Sequence, residues 1–201
     1  MQVTVIDYKA GNLTSVLKSL RHLGAEPVVT DSDVGAITRA ARIVLPGVGH
    51  FAATRRLDET GMTTAIREAI AGGVPFLGIC VGMQWLYAGS SEASDTPGLG
   101  RFPESCCRFS EGSQKIPHVG WNSLEVNGSS RLLAGVRGGE YVYFTHSYKA
   151  PVTDDTCAKT HYIEPFAAAV ERGNVMGVQF HPEKSGETGL KILRNFLEWT
   201  C

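Results

Sequence analysis

The stretch Phe76-Leu77-Gly78-Ile79-Cys80-Val81-Gly82-Met83-Gln84 carries an apolar run through Gly-x-Cys-x-Gly into helix-compatible residues. Residues 75–79 have the pattern of a short buried strand, and a strand feeding a helix is the building unit of an α/β sheet. A tight strand-to-helix turn exposes the residue at its apex. Glycines on either side keep the backbone from colliding with itself. With cysteine at the apex, the positive end of the following helix favours thiolate over thiol. The Val81 N–H can donate to a developing oxyanion. A buried structural cysteine in a glycine-rich turn is the competing reading, and only a partner base separates the two.

Outward from this turn, strands alternate with amphipathic segments. Residues 3–6 read as a first strand ending at Asp7. After Gly11, the spacing of Leu13, Val16, Leu17, Leu20 and Leu23 predicts a helix stopped by Gly24. Residues 27–30 and 43–45 read as strands, the latter broken at Pro46-Gly47. Met62, Ala65, Ile66, Ala69 and Ile70 form a helical stripe ending at Gly72-Gly73. Residues 175–180 read as a late strand, and Leu190, Leu193, Phe196 and Leu197 mark a final helix. Between residues 98 and 148, β-rich stretches with turns at Asn127-Gly128 and Gly138-Gly139 suit antiparallel strands. The expected fold is one α/β domain over residues 1–201. Its open, mixed, mostly parallel sheet is covered by helices on both faces and carries an added antiparallel β region.

Composition bounds the function. The 201 residues are 43% hydrophobic and 19% charged, with 19 basic against 20 acidic side chains. That is globular composition without the cationic field that holds a nucleic-acid backbone. The opening MQVTVIDYKAGN has too short an apolar run for a signal peptide or membrane span, which points to a cytoplasmic protein. Five cysteines without regular spacing make neither a disulfide framework nor a zinc site, so no metal or cofactor is expected.

A cysteine nucleophile needs a base and the base an orienting group. Of six histidines, His181 follows a strand end, where active-site loops of open α/β sheets gather. In Gln179-Phe180-His181-Pro182-Glu183, the Glu183 carboxylate can hold the imidazole in one tautomer. The turn Pro46-Gly47-Val48-Gly49-His50-Phe51 has two glycines that free an N–H to face an oxyanion. His50 reads as shaping that loop. His22 and His161 carry no supporting pattern, and His118 and His146 read as loop supports.

Together, PGVGHF, GICVGMQ and FHPE resemble class I (triad-type) glutamine amidotransferases in order and separation. The resemblance implies that fold, with Cys80 attacking the glutamine side-chain amide, His181 as base and acid, and Glu183 orienting it. The oxyanion would be held by N–H groups of Val81 and of the Val48-Gly49 turn. PHVGWN at 117–122, YFTHSY at 143–148 and Asp7-Tyr8 with Gly11-Asn12 resemble the branch serving imidazole glycerol phosphate synthase. That branch implies glutamine binding by Gln84, Glu92 and the Ser147-Tyr148 backbone. It also implies a heterodimer with a TIM-barrel cyclase that takes up the ammonia, faced by Asn12, Trp121 and Lys184.

Glu92 suits a substrate ammonium but equally suits a solvated loop acid, and Trp121 suits an interface or a local core. The pattern departs from the branch at residues 102–109, which lack an expected glycine, and at Lys9, where small residues are usual. Three alternatives stay open: a glutaminase serving another synthase, a stand-alone γ-glutamyl cysteine hydrolase, and a non-catalytic regulatory subunit.

Overall fold

The computed structural model describes residues 1–10, 13–112, 114–128 and 130–200. Strand β1 (Gln2–Ile6) is followed by α1 (Leu13–His22), β2 (Glu26–Thr30), α2 (Val34–Thr38) and β3 (Ile43–Gly47). Then come α3 (Arg55–Glu59), α4 (Met62–Ala71), β4 (Phe76–Cys80) and the single turn α5 (Val81–Gln84). The apolar spacing of α1 buries Val16 and Leu20, and Gly24 ends its run at φ +80°. Helix α4 buries Met62, Ala65 and Ile66.

The second half is richer in strands: β5 (Tyr87–Ser90), β6 (Phe102–Arg108), β7 (His118–Ser123), β8 (Glu125–Val126), β9 (Tyr141–His146) and β10 (Tyr148–Lys149). It closes with β11 (Thr156–Tyr162), β12 (Glu164–Arg172), β13 (Val175–Val178) and α6 (Gly186–Leu197).

Eight strands form the main sheet in the order β2-β1-β3-β4-β13-β12-β11-β8. The pairs from β2 to β13 are parallel, and those from β13 to β8 are antiparallel. Helix α1 packs with α6, and α2 with α4. The β1, β3 and β4 segments are buried almost throughout, as expected for strands covered on both faces.

Two expectations need correction. Strand β3 does not break at Pro46-Gly47: Pro46 pairs with Ile79 and Gly47 with Cys80. Proline's φ is compatible with extended backbone, and pairing with β1 has already ended at Val44. The region between residues 98 and 148 is not uniformly antiparallel either. Strands β7 and β9 pair that way, but β6 runs parallel to β5 and antiparallel to β10. The hairpin β11–β12 went unread because its burial is nearly continuous in the middle, without polar alternation. The departure at residues 102–109 falls in β6 and the start of the following loop.

The consequence for the site is convergence. Strands β3, β4 and β13 all run parallel and end together, bringing Gly47, Cys80 and the Gln179–His181 segment to one edge. This is the carboxyl end of the parallel strands, where open α/β sheets bind ligands.

Candidate active site

Cys80 sits at the junction of β4 and α5 with φ 54° and ψ −110°, and is only 3% exposed. A left-handed φ on a non-glycine residue costs roughly 1–3 kcal/mol and persists where the surroundings over-determine it. Here they do. A Cβ on Gly78 would strike the Gly82 carbonyl, and one on Gly82 would strike the Leu45 carbonyl oxygen. Both glycines are therefore demanded by close approach rather than by φ. Helix α5 is a single turn of four residues, so its dipole contributes less at the sulfur than a full helix would.

His181 is 2% exposed, and its Nδ1–H donates to Glu183 Oε1 at 2.8 Å. That bond fixes the tautomer and leaves Nε2, which is buried without a hydrogen-bond partner. Burial alone would depress the imidazole, but the Cys80 sulfur and the Glu183 carboxylate outweigh it and push His181 up to about 10. Sulfur and carboxylate thus favour the protonated ring, and Nε2 is the nitrogen that Glu183 leaves free.

A cavity of about 220 Å³ opens over Cys80, of a size for an amino acid rather than a nucleotide. Val48, Gly49 and Val81 line one side, Gln84 and Glu92 another, and Thr145 to Tyr148 a third. Gly49 has φ +100°, a conformation that favours glycine. The Val48 N–H donates to the Ala10 carbonyl at 3.4 Å, so in this structure it is turned away from the cavity. Glu92 is more than a solvated acid: its Oε2 accepts the Phe51 N–H at 2.7 Å, tying the loop after Gly49 to the cavity rim. His50 accepts the Ala52 N–H through Nδ1 and caps the short 3-10 turn at Phe51–Thr54.

The third wall comes from β9 and β10, with β7 paired behind it to β9. His146 Nδ1 lies 2.8 Å from the Tyr148 carbonyl, which only accepts, so that nitrogen carries the proton. His146 Nε2 then accepts from His118 Nδ1–H at 3.1 Å, and His118 Nε2 accepts from Asn122 Nδ2 at 3.4 Å. Both rings are held neutral. Burial lowers His118 to about 4, and burial, opposed in part by the bond to Tyr148, lowers His146 to about 3.

Trp121 is 55% exposed, which removes it from any local core. It packs edge-on to Tyr143 at 6.1 Å, and Lys184 Nζ lies 5.8 Å from the same ring. Exposed Val119 and Tyr141 extend this face along β7 and β9. Asn12 lies outside the described residues. Lys9, the other departure, adopts φ 63° with its N–H on Asp7 Oδ1 and its ammonium 2.8 Å from Asp31. Among the described residues no group of three or more His, Cys, Asp or Glu side chains is placed to hold a metal.

Sequence reading passed over Gln179. It is fully buried, and its Nε2 lies 3.6 Å from Cys80 Sγ while its Oε1 accepts from Gln84 Nε2 at 3.0 Å. The only sequence signal was its place two residues before His181, just past the end of β13 at Val178. Thr145, whose carbonyl lies 3.9 Å from Cys80 Sγ, had no such signal.

Comparison with known proteins agrees over nearly the whole chain. The family model for glutamine amidotransferase class-I matches residues 4–199. The imidazole glycerol phosphate synthase subunit HisH of Caldanaerobacter subterraneus is 46% identical over 199 residues, 98% of this chain and 97% of that protein. The chloroplastic imidazole glycerol phosphate synthase hisHF of Arabidopsis thaliana is 45% identical over 203 residues, 97% of this chain but 34% of its own length. Among solved structures, PurLQS from Thermotoga maritima superposes with a TM-score of 0.75 at 21% identity, covering 98% of this chain and 97% of that one. At that identity the likeness bears on the fold alone.

Proposed function

Because the chain belongs to the class-I glutamine amidotransferase family, we propose that it is the glutaminase subunit of an imidazole glycerol phosphate synthase. It hydrolyses glutamine to glutamate and supplies ammonia to a cyclase subunit. The observation that carries the chemistry is the cysteine held at φ 54° over the cavity, beside a buried imidazole whose Nδ1 is bound to Glu183 and whose Nε2 is unspent.

The steps follow from those groups. The Cys80 thiolate attacks the side-chain amide carbon of glutamine, and the carbonyl oxygen takes up the negative charge. The Val81 N–H stabilises that oxyanion. The Val48-Gly49 turn joins it when the Val48 N–H leaves the Ala10 carbonyl. His181 passes its Nε2 proton to the departing nitrogen, releasing ammonia and leaving a γ-glutamyl thioester. It then takes a proton from water, whose oxygen attacks the thioester and frees glutamate. Gln84 and Glu92 hold the substrate, Glu92 receiving its ammonium with the carboxylate oxygen that Phe51 leaves unused, and backbone N–H groups at Ser147-Tyr148 receive its carboxylate.

The pathway assignment draws its support from the relatives' names and from the exposed β7–β9 face. Trp121, Tyr143 and Lys184 there form an aromatic and cationic patch suited to a TIM-barrel cyclase, and Asn12 belongs to the same expected interface. We read residues 1–201 as one domain acting in the cytoplasm. No helix among the described residues is long and apolar enough to cross a membrane.

The deciding assay is glutamate release from glutamine by the purified chain, with and without a cyclase subunit and its ribonucleotide ligand. Strong stimulation by that cyclase is the expected result. Reactive Cys80 without stimulation would redirect the subunit to another synthase, and an unreactive Cys80 would end the hydrolytic reading.

A further inference from the structure

The short helix behind Cys80 leaves a physical question: what besides His181 stabilises charge on a sulfur that is 3% exposed? The hydrogen bonds around Gln84 answer it, because they leave each amide only one orientation. The Tyr148 carbonyl can only accept, so the Gln84 atom 2.9 Å from it must be the amide nitrogen. The same nitrogen faces Gln179 at 3.0 Å, so Gln179 must present its oxygen there. Its NH2 group is thereby turned to Cys80 Sγ at 3.6 Å. The Tyr148 carbonyl is itself held by the His146 Nδ1–H, and the Gln179 backbone is pinned by its N–H on the Ala168 carbonyl.

We propose that Gln179 is a further catalytic residue of the glutaminase reaction, donating its side-chain N–H to the Cys80 thiolate in an orientation dictated by Gln84. The inference rests on the glutaminase reading above. In the thiol form, Sγ–H points to the Thr145 carbonyl at 3.9 Å and Gln179 meets a weak acceptor. In the thiolate form, the same N–H meets a full negative charge, and charge-assisted hydrogen bonds are about twice as strong as neutral ones. Gln179 therefore favours the reactive form without moving. The amide also couples nucleophile to substrate wall, since Gln84 lines the glutamine cavity.

The test is Gln179→Met, which roughly keeps the side-chain length and removes the donor without adding a charge, while Gln84 keeps its bond to the Tyr148 carbonyl. Its fold is checked by circular dichroism and thermal unfolding. Cys80 alkylation by iodoacetamide is then followed from pH 6 to 9, and glutamine turnover is measured in the complex with the cyclase. Loss of one hydrogen bond to a charged group predicts alkylation and kcat lower by about 10- to 100-fold, with KM changed by less than about threefold. The alkylation profile moves to higher pH. A folded variant alkylated like wild type at every pH overturns the proposal.

A second measurement needs no variant at this position. In the isotopically labelled wild-type chain, the Gln179 side-chain amide resonances shift when Cys80 is alkylated; resonances indifferent to alkylation overturn the proposal as well. Failure of the glutaminase reading is distinguishable. It appears as wild-type Cys80 resisting a glutamine-analogue chloroketone, and it removes this role with it.

Discussion

At the ends of the parallel strands His181 is buried to 2% exposure beside Glu183, whereas in the antiparallel wall His118 and His146 are buried to 3% and 6% beside each other. Burial pushes all three imidazoles toward the neutral form. A carboxylate and a sulfur reverse that for His181, while the wall histidines have only a carbonyl, an amide and each other. The residue type is the same, and the acceptor next to it decides in which direction the imidazole's proton affinity moves. The lesson extends to the backbone. The parallel edge carries the strained cysteine, and the wall supplies extended strands that close the cavity.

The most severe way to break the comparison acts on the parallel edge. Cys80→Ala is expected to abolish glutamine hydrolysis while leaving partner assembly intact; loss of assembly would show that Cys80 is more than a nucleophile. His181→Asn is expected to lower glutamine turnover by ~10²–10⁴-fold with the fold retained, measured as glutamate release in the complex. Wild-type turnover in that variant would remove His181 from the reaction.

A pair of glycine substitutions compares the two regions as structure. Gly82→Ala drives a Cβ into the Leu45 carbonyl oxygen and is expected to cost about 3 kcal/mol in denaturant unfolding. Gly120→Ala, in β7 at φ +140° with no heavy atom within 4 Å of the added Cβ, meets backbone strain alone and is expected to cost less, about 1–2 kcal/mol. Equal losses would mean that close approach does not set the elbow apart.

The titrations predict opposite flanks of stability against pH. His118 and His146 lie below the ordinary 6.5 in the folded chain, at about 4 and about 3. Their contribution is complete above pH 6.5 and is lost as pH falls through those values, because the unfolded chain binds the extra protons. His181 lies above 6.5, at about 10, so its contribution is complete below pH 6.5 and is lost as pH rises toward 10. Urea unfolding across pH 4 to 10 checks both. The acid slope should be shallower in His118→Asn and the alkaline slope shallower in His181→Asn, and the reverse assignment would contradict the structure.

The smallest stability effect is expected at the exposed face. Trp121→Ala should change unfolding by no more than about 0.5 kcal/mol, as surface substitutions do, while reducing stimulation by the cyclase. A large loss of stability would return Trp121 to the core.

By itself the sequence determined the strands of the parallel half and its longer helices, though not the short α2 and α3 or the full reach of β3. Apolar runs, helical spacing and the glycines beside Cys80 are local signals, because a strand, a helix and a tight turn each satisfy their backbone within or next to a short segment. For the same reason Cys80, His181 and Glu183 could be singled out from their motifs as candidates. Only the tertiary structure decided what lies around them. It alone turned the Val48 N–H to Ala10, tied Glu92 to Phe51, and brought Gln179, Gln84 and the Tyr148 carbonyl into one hydrogen-bonded line. Those contacts join residues 38 to 95 positions apart, in Val48–Ala10 and Gln84–Gln179 at the extremes. Which donor meets which acceptor at such separations depends on strand order and register across the whole sheet, and no short segment carries that information.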